Sequence, residues 1–215
     1  MRCKVCADTG IDALGNQCTA CNKGTERLFT VSPWIPAQYQ GNRYSASALP
    51  LTMNAWATDM EAIRDAIIER EDRRNYLICS PYRSGKTVWS YDLLESLACK
   101  GYPVYPIVDL LDIRRMSYSF KEDDMAKIAQ IYGVPVLIVR IPPIVQSGIV
   151  ETMQTVLYKR VSVNGQTIFL YADSYYNLAE SSGKKELLHS ILGDGMLGSV
   201  RLKDYRRNKD GELQN

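Results

Sequence analysis

The sequence predicts an α/β protein. A parallel sheet with helices on both faces is built around a phosphate-binding P-loop, and a small zinc-binding module precedes it. Three observations predict this. Two Cys-x2-Cys brackets stand within the first 21 residues. A short apolar strand, Tyr76-Leu77-Ile78-Cys79, runs through a loop containing Ser84-Gly85-Lys86-Thr87 into a helix-spaced segment. Beyond it, near-continuous apolar runs alternate with amphipathic stretches, the pattern of a sheet buried on both faces. Composition is compatible with such a core. Of 215 residues, 46% are hydrophobic and 23% charged, close to globular averages, which excludes a globally disordered chain. A net charge of +2, from 26 basic and 24 acidic residues, excludes a uniformly basic nucleic-acid coat but leaves room for a local patch. Runs such as residues 134–139 are far too short to span a bilayer.

The first element is the cysteine module, residues 1–29. Cys3-x2-Cys6 and Cys18-x2-Cys21 each let one turn of chain aim two sulfurs at one ion, and two such brackets complete a tetrahedron suited to structural Zn²⁺. The start Met1-Arg2-Cys3 carries no signal pattern, so a cytoplasmic, reducing compartment is expected, where paired cysteines indicate metal more than disulfides. A segment this short cannot bury enough apolar surface to fold alone, so metal binding would supply its folding energy. The competing reading is a redox site or chance thiol pairs.

Residues 30–51 follow. Pro33, Pro36 and Pro50 discourage helix. The segment reads either as a linker that docks through Trp34, Tyr39 and Tyr44, or as an irregular first part of the main domain. That domain is expected over 52–207, with 208–215 as a frayed tail.

Within the domain, Trp56, Met60, Ile63 and Ile67 mark one helical face. The strand at Tyr76 then leads into Ser80-Pro81-Tyr82-Arg83-Ser84-Gly85-Lys86-Thr87-Val88. Here Val88, Tyr91, Leu94, Leu97 and Ala98 continue at helical spacing until Gly101. Strand, loop and helix are the context a P-loop requires. Backbone N–H groups of a loop entering a helix N-terminus cradle phosphate oxygens. Lys86 would lie along the β- and γ-phosphates, Thr87 would place its hydroxyl on Mg²⁺, and ATP or ADP is the expected ligand. Ser80 stands where the motif G-x-x-x-x-G-K-[ST] has its first glycine. Further strands are expected at 104–108, 136–141 and 167–172, and helices at 122–131 and 148–160.

Other residues carry less. His189, the only histidine, reads as a surface or packing residue within a helix. Cys79 and Cys99 read as small core residues. Basic clusters at Arg70, Arg73 and Arg74, and at Arg201, Lys203, Arg206, Arg207 and Lys209, are solvated faces or phosphate contacts for single-stranded DNA.

With these residues in order, the chain resembles the DnaC-like replicative-helicase loaders of bacteria and their phages, a branch of the AAA+ ATPases. The resemblance runs over nearly the whole length. It is carried by Cys3-x2-Cys6-x-Asp8-Thr9-Gly10 with Cys18-x2-Cys21, by Ile35-Pro36-x2-Tyr39, by Ser84-Gly85-Lys86-Thr87, and by Lys100-Gly101-Tyr102-Pro103-Val104. Asp109-Leu110-Leu111 with Arg114, and Val200-Arg201-Leu202-Lys203-Asp204-Tyr205-Arg206, complete it. It implies an AAA+/RecA-like P-loop core in a bacterial cytoplasm. A hexameric replicative helicase is the implied partner, with single-stranded DNA and a homo-oligomer as further expectations. The short, degenerate core leans toward a phage-borne member.

The resemblance also shows what is lost. A hydrolysing member carries an acid after the apolar run of its third strand, the Walker B position. Here Val136-Leu137-Ile138-Val139 is followed by Arg140-Ile141-Pro142-Pro143. The arginine finger expected near Asp194-Gly195-Met196 is missing too. The sensor-one residue would be Asp173 or Ser174. Asp109 or Asp112 could reach the metal instead, or Arg140 could neutralise the γ-phosphate in place of metal charge. The implied catalytic set is therefore Lys86, Thr87, Arg140 and Asp173, with hydrolysis slow or absent. Three functions stand: a helicase loader, a non-catalytic zinc-containing adaptor on a P-loop scaffold, and a small P-loop nucleotide kinase. The kinase leaves the cysteine brackets and the Ile-Pro segment unexplained.

Overall fold

The computed structural model describes residues 30–48, 53–144, 148–193 and 195–201. The cysteine brackets, most of the Val200–Arg206 resemblance and Asp194 lie outside the described residues, as does the segment after Arg201. Among the described residues no helix is long and apolar enough to cross a membrane.

The phosphate-loop strand, β1 (Tyr76–Cys79), is buried at every position because parallel neighbours flank it on both sides. Those neighbours are β4 (Gln166–Tyr171) and β5 (Gly198–Arg201). Outside β4 lie β3 (Val136–Arg140) and the edge strand β2 (Val108–Asp109). The order is β2-β3-β4-β1-β5, and every pairing is parallel. Every connection must therefore cross a face of the sheet, and helices supply the crossings. The fold class matches the sequence expectation.

Alternation along the strands divides the core in two. Leu77, Leu137, Val139, Phe169 and Tyr171 point to one face. There they meet α3 (Leu110–Ser117), α4 (Glu122–Gly133), α5 (Ile149–Val161), α6 (Tyr175–Ser181) and α7 (Lys185–Gly193). Tyr76, Ile78, Val136, Ile138, Ile168 and Leu170 point to the other, against α1 (Asn54–Ile68) and α2 (Lys86–Cys99). Eleven of the residues in α2 are buried, because it is covered by α1 and by the segment before it as well as by the sheet. Trp89 donates its indole N–H to the Met60 carbonyl at 2.6 Å, fastening α1 to α2.

That preceding segment, residues 30–48, contributes Val31, Ile35, Tyr44 and Ala46 to this second core. It holds three short 3₁₀ turns, at Ser32–Trp34, Ala37–Tyr39 and Ala46–Ala48. Tyr39 stacks on Tyr91, while Trp34 is exposed. The buried Asp92 carboxylate of α2 anchors the segment. It accepts from Arg43 Nη1 and Arg64 Nη1, each at 2.6 Å, and from the Tyr44 N–H at 3.1 Å.

The second strand differs from expectation. Instead of 104–108, only Val108–Asp109 pairs with β3. Pro103 and Pro106 have no N–H to give a ladder, so 102–107 runs as irregular chain along the edge. Gly101 does end α2: its N–H donates to the Ala98 carbonyl and that of Tyr102 to the Leu97 carbonyl. Two arginines of the first basic cluster are committed within the fold. Arg74 is paired with Asp72 at 2.7 Å, and Arg70 lies over the Tyr102 ring.

On the opposite face one fully buried cation joins three elements. Arg160 of α5 donates to the carbonyls of Ile131, Tyr132, Val134 and Gln166 and to the Thr167 hydroxyl, at 2.8–3.0 Å. Burial among carbonyls pulls its guanidinium down to about 10. Gly165 leaves it room, since a Cβ there would sit 2.7 Å from Nη2. Arg160→Met leaves those carbonyls buried without a donor. It is expected to cost at least about 3 kcal/mol, at about 1–3 kcal/mol for each unpaired group. Gly165→Ala should also destabilise. Urea unfolding followed by circular dichroism measures both, and a loss below about 1 kcal/mol for Arg160→Met would contradict this account.

Candidate functional site

The chain leaves β1 still bonded to β4, with the Ser80 N–H donating to the Tyr171 carbonyl at 3.3 Å. It then turns sharply. Arg83 and Gly85 both take positive φ, +66° and +83°. Gly85 adopts this at little cost and forms the N-cap of α2. Arg83 does so against the preference of a residue with a Cβ, the kind of local strain that collects in ligand loops. Successive turn conformations of this sort make an anion-binding concavity, and the positive end of α2 stands behind it.

Lys86 closes the loop on itself. Its ammonium donates to the Ser80 carbonyl, to Ser80 Oγ at 2.8 Å, to the Pro81 carbonyl at 2.9 Å and to Ser84 Oγ at 3.0 Å. The hydroxyls of Ser80 and Ser84 are themselves 2.7 Å apart and buried. Burial lowers the Lys86 pKa to about 8, with no carboxylate among these partners to hold the charge. Ser80, standing where the motif has glycine, thus supplies two of the four oxygens on Lys86. Thr87 is exposed in the first turn of α2.

Above the loop opens a cavity of about 620 Å³, within the range of small-molecule and cofactor sites. Residues 82–88 form one wall, whereas Ser80 and Pro81 lie outside the lining and hold Lys86. Tyr39 and Tyr91 contribute a stacked pair, ring centroids 5.4 Å apart, on another side. The carboxyl ends of β2 and β3 supply Asp109 and Arg140, followed by Ile141, Pro142 and Pro143. Asp109 and Arg140 are in register, and Arg140 Nε lies 3.1 Å from Asp109 Oδ1.

The sequence-derived residues divide accordingly. Lys86, Thr87, Val88 and Arg140 share the cavity, and Asp109 joins them. Asp173 does not. Its carboxylate accepts from the Ser174 N–H at 2.6 Å and from Asn177 Nδ2 at 2.8 Å, turned to the first turn of α6. Ser174 caps that helix by accepting from the Asn177 N–H at 3.2 Å. Asp112 pairs instead with Arg115 at 3.3 Å. His189 is exposed and stacks on Tyr175; Cys79 and Cys99 are buried, and burial pushes the Cys79 thiol up to about 12. Tyr91, Ile107, Pro142 and Pro143 also line the cavity, without a sequence motif that marks them. The last two follow the end of a predicted strand, which is where open parallel sheets bind ligands. Cys3, Cys6, Cys18 and Cys21 lie outside the described residues.

No protein-family model matches the chain, and no curated protein matches it. Solved structures do align with it. A crystal structure of DnaI aligns with a TM-score of 0.56 at 15% identity, covering 78% of this chain and 94% of that one. A primosome component from Streptococcus pyogenes serotype M3 aligns at 0.48 and 16% identity, covering 81% and 93%. The DnaC helicase loader aligns at 0.49 and 12% identity, covering 78% and 100%. The DnaI alignment shows that the two chains share a fold, in agreement with the P-loop α/β class read from the sequence.

The Lys86 environment has a measurable signature. The folded-state pKa of about 8 lies below the ordinary 10.5. Between these values the unfolded chain holds the proton and the folded chain does not, so stability rises with pH across that window. Lys86→Met removes the titration. The stability of the native chain minus that of this variant should therefore increase from about pH 8 to about pH 10. Denaturant midpoints at each pH test it, and a flat difference would show that the ammonium is not desolvated.

Proposed function

We propose that this chain is a loader-type partner of a replicative helicase that binds ATP or ADP at the loop following β1. Hydrolysis is slow or absent. The observation that carries the reading is a convergence. Tyr39 of the Ile35-Pro36 segment, the Ser84–Thr87 loop and Asp109 of the Asp109-Leu110-Leu111 segment are far apart in sequence and each belongs to the loader resemblance. All of them line one cavity. The fold shared with DnaI is compatible with the reading.

In this reading the helicase is hexameric, and single-stranded DNA and further copies of the chain are additional partners in a bacterial cytoplasm, with phage origin a further expectation. The four cysteines Cys3, Cys6, Cys18 and Cys21 hold one Zn²⁺ and their module docks on the helicase. Hydrolysis is slow because Asp173 is turned to α6 and Arg140 stands where an acid would polarise water. The alternative, a nucleotide-binding adaptor without turnover, is favoured by that same arginine.

Affinity capture of the tagged full chain from its host is the first test. A hexameric helicase should co-purify, and Cys3→Ser with Cys6→Ser should abolish the association; an eluate without helicase under both ATP and ADP would overturn the loader reading. Elemental analysis should find one zinc per chain, lost in the same double variant. Nucleotide binding should disappear in Lys86→Ala, as read by calorimetry; undiminished binding would overturn the loop assignment. Phosphoryl transfer to a nucleoside would favour a kinase instead.

A further inference from the structure

Arg140 occupies the carboxyl end of β3, beside the carboxyl end of β2, and its register partner there is Asp109. Asp109 stands at the N-cap of α3, a position where an aspartate ordinarily accepts from the helix backbone. It makes no such cap bond. Its two oxygens face Arg140 instead, Oδ1 at 3.1 Å from Nε and Oδ2 at 3.3 Å from Nη2. This is the fork geometry in which a guanidinium grips a carboxylate or a phosphate.

The cavity lining is otherwise cationic. Among the described lining residues Asp109 is the sole carboxylate, against Arg83, Lys86 and Arg140. Mg²⁺ is held by oxygen ligands in near-octahedral geometry, commonly one or two carboxylates beside the phosphates it bridges. Thr87 offers a hydroxyl. Asp109 and Arg140 are register partners, so a metal ion on that one carboxylate would sit beside a guanidinium whether Arg140 grips Asp109 or a phosphate. The residue after Arg140 is Ile141, which is buried. The donor set does not fit a divalent metal.

We infer that this site binds nucleotide without a divalent metal, with Arg140 leaving Asp109 to grip the terminal phosphate and supplying the charge a metal would bring. The inference rests on the nucleotide-binding reading above. The Arg140–Asp109 pair is about half exposed on both sides, so it is a weak pair that a polyphosphate can open. Lys86 serves the phosphates from the loop side. Arg140 serves them from the sheet side, and α2 presents its N-terminus between them.

Calorimetric titration of the full-length protein with ATP tests this, once in Mg²⁺ and once in EDTA with the zinc content verified after dialysis. The wild-type affinities should agree to within about tenfold, and Arg140→Gln should weaken binding in EDTA by about tenfold or more, the scale of a lost charge-assisted bond. Arg140→Asp should make binding metal-dependent. Circular dichroism checks the fold of each variant, and the half-exposed position makes both substitutions tolerable. Wild-type binding that falls by more than tenfold in EDTA overturns the inference and leaves the nucleotide reading standing. So does an Arg140→Gln variant that binds as the wild type does in EDTA. Binding in neither buffer overturns the nucleotide reading, and the inference falls with it.

Discussion

Every strand of this sheet runs in the same direction, and the remaining architecture follows from that constraint. Parallel pairing in the order β2-β3-β4-β1-β5 forces each connection across a face, which demands a helical layer on both sides. It also brings the ends of all five strands to one edge. The loop after Cys79, Asp109 after Val108, Arg140 after Val139 and Ala172 after Tyr171 are distant in sequence. They become neighbours because they are strand ends. A cavity at that edge is a consequence of topology before any residue is chosen for chemistry.

Two buried charges then fix the layers. Asp92, beneath α1 and the segment before it, gathers Arg43, Arg64 and the Tyr44 backbone. Arg160, on the opposite face, gathers the carbonyls that end α4 and begin β3 and β4. They differ in kind. Asp92 is compensated by opposite charge, so removing either arginine leaves the carboxylate less well paired inside the protein. Arg160 is satisfied by dipoles alone, which is why its guanidinium is easier to deprotonate than usual. Both sit outside the cavity: Asp92 holds α2, which carries one of its walls, and Arg160 ties α4 and α5 to the amino ends of β3 and β4. Glu95, accepting from the Gly41 N–H at 3.1 Å, extends the first network toward Tyr39; burial raises its carboxyl.

Much of this was legible in the sequence, for reasons that differ by element. Apolar runs and helical spacing gave β1, β3, β4, α2, α4 and α5 to within a residue or two, because each buries a continuous face. The edge strand is shorter than its apolar stretch suggests because Pro103 and Pro106 withhold the N–H groups a ladder needs. The short helices α3 and α6 went unread, since two turns are too few for periodicity to register. At the site, the loop was legible as a motif with fixed spacing. Asp173 was not, because its position at the end of β4 is compatible with a carboxylate aimed at the cavity or back at α6. Only the hydrogen bonds from Ser174 and Asn177 decide it. The partnership of Asp109 with Arg140 depends on strand register, which a sequence states only indirectly.

The electrostatic state of the cavity explains why phosphate-loop geometry here need not entail turnover. Two of the lining cations have partners within the protein, Lys86 in the oxygens of its own loop and Arg140 in Asp109. On the proposed reading a polyphosphate exchanges these internal partners for phosphate oxygens at both ends of the cleft. Hydrolysis asks for something different, a group that orients and deprotonates water at the γ-phosphate, a contribution of about 10²–10⁴ in rate. The lining carboxylate that could serve is Asp109, and both of its oxygens are engaged by the Arg140 guanidinium. If Arg140 turns to the phosphate, Asp109 is freed, yet the same arginine then holds the terminal phosphate in its ground state. On the proposed reading, charge arranged in this way favours occupancy over chemistry, as a nucleotide-dependent assembly factor requires and a fast ATPase does not.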